Sequence, residues 1–289
     1  MRIQSIRLTA FKRFTDLTIH MLPSNAKLIV LVGPNGCGKS SLFDALNTWQ
    51  WRNLRGISDT VYFNKDEVGD EPKVVAPHNI DITLHQPTPT DHQELKRIFY
   101  IGSAYRNESD FAMKSLQRLG PVEDRNRVVR LIDNDTNVST NYQSIAMNSL
   151  DGLYSGAHDD LKVSDMVDLL VGDVRRSMKR VFPDLVLRGV GNPMEDGTFL
   201  FDKGVSSKYP YKNLSGGEKA AFDLLLDFVV KVATYNDTVF CIDEPEAHMN
   251  TRLQGILLRE LVGLLPDNCQ LWIATHSIGM MREAWALQK

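Results

Sequence analysis

Residues 28–51 place an apolar pentad, a glycine-rich octet and an amphipathic stretch in direct succession, and that order leaves few folds open. Leu28-Ile29-Val30-Leu31-Val32 reads as a short buried strand. Gly33-Pro34-Asn35-Gly36-Cys37-Gly38-Lys39-Ser40 follows, and from Ser40 to about Trp51 the residues Leu42, Phe43, Ala45 and Leu46 share one helical face. Strand, glycine loop and helix together make a phosphate-binding loop of an α/β fold. Gly33, Gly36 and Gly38 permit the tight turns that aim successive backbone N–H groups at one anion. Lys39 adds a point charge for the β- and γ-phosphates, Ser40 a hydroxyl for Mg²⁺, and the helix its positive end. Asn35 and Ser41 complete the expected nucleotide contacts.

Three further motifs lie downstream. Val239-Phe240-Cys241-Ile242 is wholly apolar, as the centre of a parallel sheet requires. Asp243 closes that run where α/β sheets bind ligands, and a carboxylate there holds Mg²⁺ through its water shell. Glu244 beside it is placed to polarise an attacking water. Glu246 and His248 have two readings, a contact with a partner subunit or the cap of the next helix. Ser215 stands 28 residues before Asp243 and forms a capping box with Glu218 for a helix running to about Thr234. Capping does not explain Gly216-Gly217, because glycine costs about 1 kcal/mol in a helix relative to alanine. Close approach of a γ-phosphate presented by a second subunit does explain it, with the Ser215 hydroxyl and the helix N-terminus completing that site. Trp272-Ile273-Ala274-Thr275-His276-Ser277 is another buried strand ending in a polar trio. His276 there is placed to hydrogen-bond the γ-phosphate and report its loss.

The rest of the chain sets limits. Its 289 residues suffice for one large α/β domain or two small ones. A net charge of -3 gives no global pull toward nucleic acid, while leaving a local basic face open. Cys37, Cys241 and Cys269 lack metal-ligand spacing and read as reduced thiols of a cytoplasmic protein. The opening Met-Arg-Ile-Gln-Ser-Ile-Arg alternates like a strand, without the apolar core of a leader. No run approaches 18 apolar residues, so no membrane span is expected. Further strands are expected at Ile80–Leu84 and Ile98–Ile101, with a hairpin from Leu185–Leu187 and Thr198–Phe201. Helices are expected over Leu161–Phe182 and around Arg252–Leu265, and residues 105–160 read as helices joined by loops. Asp133-Asn134-Asp135-Thr136-Asn137 fails as a calcium loop because Val138 stands where glycine is needed. Arg175, Arg176, Lys179 and Arg180 read as a solvated helix face rather than a DNA-phosphate contact.

The four motifs in this order resemble ABC-type ATPase heads, and among them the SMC, RecF and OLD (overcoming lysogenisation defect) group. Leu214-Ser215-Gly216-Gly217-Glu218-Lys219 is similar to the signature of SMC and break-repair heads. Asp243-Glu244-Pro245-Glu246-Ala247-His248 is similar to the run found in OLD-like ATPases of bacterial defence loci. Phe11-Lys12-Arg13-Phe14 is similar to an early stretch of this group in which a basic residue, here Arg13, nears the nucleotide. The resemblance covers residues 1–50 and 210–280. It implies an α/β fold, an ABC-type P-loop NTPase head with a mixed central sheet and a helical signature subdomain. The chain 1–289 is then one ATPase domain, with 1–104 and 236–289 as the nucleotide-binding lobe and 105–235 as the helical signature subdomain. The implied cofactors are ATP and Mg²⁺. Lys39, Glu244 and His276 would serve hydrolysis, and Ser40 and Asp243 the metal. Ser215 and Gly217 would act on the nucleotide of the other subunit in a head-to-tail homodimer or higher oligomer.

The sequence also departs from that group. No glutamine loop matches, and the best placed segment, Tyr100–Arg106, ends a strand without Gln. About 110 residues separate it from Ser215, too few for the long coiled-coil arm of SMC proteins. OLD proteins carry a TOPRIM nuclease domain beyond this region, whereas the sequence stops 13 residues after His276. A region of a larger protein and an activity carried by a partner both stay open. The expected role is an ATPase that gates an effector, a nuclease or toxin, in bacterial anti-phage defence. The alternative is a RecF- or SMC-like DNA repair or maintenance ATPase that binds DNA across closed heads. A transporter motor comes third, disfavoured by Glu218 and the missing glutamine loop.

Overall fold

The computed structural model describes residues 1–55, 61–62, 73–74, 79–103, 120, 140–141, 143–145, 163–191 and 198–288. Most of the stretch 105–160 lies outside them, including Tyr105, Arg106 and the calcium-like run at 133–138. The fold opens with β1 (Ile3–Phe11) and β2 (Phe14–Ile19), a hairpin whose Phe11–Phe14 register leaves only Lys12 and Arg13 in the turn. β3 (Leu28–Val32) feeds the glycine loop and α1 (Lys39–Arg55). The short strands β4 (Val61–Tyr62) and β5 (Lys73–Val74) pair with each other. Next come β6 (Ile80–Leu84), α2 (His92–Arg97), β7 (Phe99–Gly102) and α3 (Val163–Val181). An antiparallel meander follows, β8 (Leu185–Val190), β9 (Phe199–Lys203) and β10 (Ser206–Pro210). A 3₁₀ turn at Tyr211–Asn213 leads into α4 (Gly216–Val232), then β11 (Val239–Asp243), α5 (Thr251–Leu264), β12 (Gln270–Thr275) and α6 (Ile278–Leu287).

The sheet that organises the site has the order β3-β12-β11-β7 and is parallel throughout. The α/β class stands as expected. The antiparallel pairs form separate sheets, β2-β1-β6 and β10-β9-β8, instead of joining the sheet that carries the glycine loop. The reason is local: a two-residue turn between β1 and β2 permits only antiparallel pairing, whereas β11 and β12 are joined through α5. β11 is a central strand, bonded on both sides and buried at every residue, which is what its unbroken apolar run requires.

Alternation along these strands splits the core in two. Phe240 and Ile242 of β11 and Leu271 and Ile273 of β12 face a cluster built with α3, α4, α5, β8 and β9. Val239, Cys241, Trp272 and Ala274 face the opposite cluster, which contains Phe43 and Leu46 of α1, Ile6 and Leu8 of β1 and Ile82 of β6. Trp272, Phe240, Phe43 and Phe228 are fully buried, each contributing about 1.5–3 kcal/mol of burial free energy. Desolvation on the sheet raises the Cys241 thiol well above its ordinary pKa, so this cysteine stays neutral.

A group of polar side chains inside the helical layer is paired. Asp227 of α4 accepts from the Tyr100 hydroxyl of β7 and from Asn141 Nδ2 at 2.9 Å, and lies 3.4 Å from the Lys231 ammonium. This network ties the signature helix to a strand of the parallel sheet. On α3, Arg175 meets Asp168, Arg176 meets Asp173 at 2.6 Å and Arg180 meets Glu260 at 2.6 Å. Three of the four clustered cations therefore face carboxylates. Among the described residues, no helix is long and apolar enough to cross a membrane.

Candidate active site

Parallel pairing puts the C-terminal ends of β3, β12 and β11 on one edge, and the register aligns Val32 with Thr275 and Ala274 with Asp243. The glycine loop, His276 and Glu244 all begin there, one residue beyond their strands. Gly33 N–H donates to Thr275 O at 3.4 Å and Glu244 N–H to Ala274 O at 2.9 Å, which stitches the three strand ends together.

The loop wraps onto the N-terminus of α1, whose first turn carries no acidic residue. Gly36 and Gly38 have φ of 77° and 110°, and Gly38 is buried against the hairpin tip. A Cβ on Gly38 would meet Phe14 Cζ at 2.6 Å and Arg13 Cδ at 2.8 Å, so both the backbone and the space demand glycine. The same packing sets Arg13 over the loop, with Nη1 3.5 Å from the position of a Gly36 Cβ. Lys12 anchors the tip to α1 through an ion pair with Asp44. Lys39 Nζ donates to Gly33 O at 2.8 Å and to Pro34 O at 3.2 Å, holding the ammonium across the loop. Asn35 is exposed on the loop and Ser41 half-buried in the first turn of α1.

Ser40 Oγ donates to Asp243 Oδ2 at 2.6 Å, joining the two candidate metal ligands across 203 positions of sequence. One hydroxyl and one carboxylate at the positive end of a helix, with Lys39 and Arg13 close by, form an oxygen donor set that suits Mg²⁺ carrying a polyphosphate. Next to it, His276 Nδ1 lies 3.2 Å from Glu244 Oε1, with the imidazole 49% exposed. Glu244 has φ of 43°, a left-handed conformation that is uncommon for a glutamate.

Ser215 and Glu218 form the anticipated capping box. Ser215 N–H donates to Glu218 Oε2 at 2.8 Å, and Glu218 N–H to Ser215 Oγ at 3.4 Å. Lys203 adds a bond to Glu218 Oε1 at 2.6 Å. Burial alone would raise the Glu218 carboxyl, but the bonds from Lys203 and Ser215 outweigh it and hold it below its ordinary value, while the same bond raises Lys203. The glycine pair divides its roles. A Cβ on Gly217 would come 3.0 Å from His248 O, so Gly217 makes room for the chain's own turn after Glu244, whereas the position on Gly216 is open.

Glu246 performs neither role expected of it. The cap of α5 is Asn250, whose Oδ1 accepts from Leu253 N–H at 3.1 Å, and Glu246 is buried. His248 is exposed, with φ of 66°.

A family model described as "AAA domain, putative AbiEii toxin, Type IV TA system" matches residues 28–282. The chain belongs to this AAA-domain family. Its fold is that of an ABC-type P-loop NTPase head. Curated relatives of this AAA-domain chain include chromosome partition proteins Smc from Delftia acidovorans, 52% identical over 69 residues, and from Methylococcus capsulatus, 41% identical over 69 residues. Each match spans 22% of the chain and 6% of the Smc protein. Among solved structures, an Smc head bound to the C-terminal winged-helix domain of ScpA aligns with a TM-score of 0.55 at 17% identity, covering 98% of the chain and 92% of that head. An Smc head with an extended coiled coil, bound to the C-terminal domain of ScpA derived from Pyrococcus furiosus, aligns at 0.50 and 15% identity, covering 98% and 91%. These likenesses fix the fold. Membership of the AAA-domain family supports ATPase activity with a nucleotide and, usually, Mg²⁺.

Sequence reasoning gave no role of their own to Thr275, Gln254, Lys203 and Phe14. Phe14 was within reach, since an aromatic directly after a two-residue turn must pack beside whatever that turn touches. The others act through contacts 15 to 29 residues away in sequence, which no local pattern reports.

Proposed function

We propose that the AAA-domain chain is an ATP-hydrolysing head that closes on a second copy and thereby gates an effector, a nuclease or toxin, in bacterial anti-phage defence. The observation that carries the hydrolytic part is the arrangement at the sheet edge, Glu244 against His276 and Ser40 against Asp243. When bound, Mg²⁺ and ATP supply the phosphoanhydride and the positive charge that neutralises it. Gly33 to Gly38, Asn35, Lys39, Ser41 and Arg13 hold the phosphates, and Ser40 and Asp243 hold the metal. Glu244 orients the attacking water and accepts its proton, with His276 keeping that carboxylate in place. Ser215, Gly216 and Gly217 face the nucleotide of the other copy, which the open position at Gly216 supports. In this reading residues 1–104 and 236–289 form the nucleotide lobe, and 105–235 the signature subdomain.

Effector gating is supported by the toxin-linked family and by the three α3 cations already engaged by carboxylates. The second reading, DNA repair or maintenance across closed heads, is favoured by the local identity to Smc proteins. Glu244→Gln decides the shared core. It is expected to bind ATP, hydrolyse it slowly and run as a dimer in light scattering. A variant that stays monomeric in ATP would refute sandwich closure. Co-purification of the tagged chain with its genomic neighbours separates the two roles. A stoichiometric nuclease or toxin supports gating, whereas ATPase activity raised by DNA with a steep salt dependence replaces gating with DNA maintenance.

A further inference from the structure

Glu246 lies outside every role described so far. It is 4% exposed, and among the described residues none of the ion pairs includes it. Its Oε2 is buried without a hydrogen-bond partner among those residues. A carboxylate kept in such surroundings lowers stability, so its retention calls for a reason. That reason lies in its other oxygen. Glu246 Oε1 accepts the Thr275 hydroxyl proton, and Thr275 Oγ in turn accepts from Ser277 N–H at 2.9 Å. The Ser277 hydroxyl donates to Gln254 Oε1, Gln254 Nε2 donates to Met249 O at 2.9 Å, and Met249 N–H returns to Glu246 O at 3.0 Å. The circuit closes on itself and clamps both neighbours of His276 while leaving the imidazole outside, directed at Glu244.

We infer that Glu246 is a positioning residue that acts through Thr275 to hold His276 against Glu244. The inference rests on the reading above in which that pair serves hydrolysis. The carboxylate reaches the last residue of β12 from the turn after β11, so one side chain fixes the two strand ends relative to each other. Thr275 O also accepts from Gly33 N–H, which brings the start of the phosphate loop under the same clamp. Glu246 needs neither to touch nucleotide nor to change protonation to do this.

The test uses the full chain and four variants. Glu246→Ala and Thr275→Val remove the link and are expected to lower kcat by about 10- to 100-fold, the range for a misplaced catalytic group, with ATP affinity within about threefold of wild type. Glu246→Gln and Thr275→Ser keep an acceptor and a hydroxyl, and are expected to retain most of the rate. Glu246→Ala combined with His276→Ala is expected to be no slower than His276→Ala alone. Multiplying losses in that double variant would overturn the inference, as would equal losses in Glu246→Gln and Glu246→Ala. A parallel readout does not depend on turnover. The His276 imidazole resonances, assigned with His276→Ala, are expected to shift and broaden in Glu246→Ala. Unchanged resonances would refute the positioning role even with no hydrolysis observed, whereas a wild-type chain without ATPase activity but with the shift would sink only the hydrolytic reading.

Discussion

Replacing Gly38 by alanine tests how tightly the hairpin and the phosphate loop are built together. Two separate obstacles meet the added methyl. The backbone sits at φ 110°, where an L-residue is strained by about 1–3 kcal/mol. The methyl would also stand 2.6 Å from Phe14 Cζ and 2.8 Å from Arg13 Cδ. Phe14 is a rigid ring on a strand, so it cannot swing aside as a lysine tip would. The loop must therefore reshape, and the backbone strain alone corresponds to about a 5- to 150-fold loss of nucleotide affinity if it is relieved by abandoning the binding geometry. Titration calorimetry with Mg-ATP reads the affinity, and a thermal melt reads the fold. The expected result is weak binding with a melting temperature near that of wild type. Adding Phe14→Ala should recover only the part due to the ring, because the φ penalty and the Arg13 contact remain. A Gly38→Ala chain that binds within twofold of wild type would refute the reasoning. So would full recovery in the double variant, since that would show the backbone strain to be negligible.

Two further outcomes concern stability. Glu218 has its carboxyl pKa depressed below the ordinary 4.5, so the stability it adds is fully present above that value and is lost as pH falls through the lower folded value. Glu218→Gln is therefore expected to melt lower than wild type at neutral pH, by about 1 kcal/mol for the weakened cap, with the gap closing in melts taken progressively below pH 4.5. A gap independent of pH would refute the charged role. Lys231→Ala removes the cation beside the buried Asp227 and is expected to cost about 3–5 kcal/mol in urea unfolding, whereas Asp227→Leu with Lys231→Met should cost much less. Equal losses in the two would show the pair itself to be stabilising.

How far the sequence could be read depended on whether a residue's partner lay within a few positions of it. The strand–loop–helix around Gly33, the apolar runs of β11 and β12 and the Ser215–Glu218 capping box are all local, and each was legible. α2 was missed inside a polar, proline-bearing stretch, although Asp91 capping Gln93 and Glu94 had left the usual signature of a helix start. β10 was missed because Ser206–Pro210 has no buried face to produce an alternating pattern. α6 was hidden by apolar residues on both sides, with Met280 buried and Ile278, Met281 and Trp285 exposed. At the site, residue types foretold which side chains assemble, but not how they are held. Gly217 was read as an opening for phosphate, and no local pattern told that its missing side chain also makes room for His248. Glu246 was read as a partner contact or a helix cap, and nothing in its surrounding sequence says that a threonine 29 residues on will draw it inside.

The left-handed backbone at Glu244 has a consequence for how such a chain can change. Glycine or asparagine would occupy φ 43° more comfortably, by about 1–2 kcal/mol for glycine. Glutamate persists there at the expense of robustness. Position 244 is thus a point where durability and turnover pull apart. Variants chosen only for survival on heating would drift toward glycine there, yielding a hardier protein that can no longer complete its cycle.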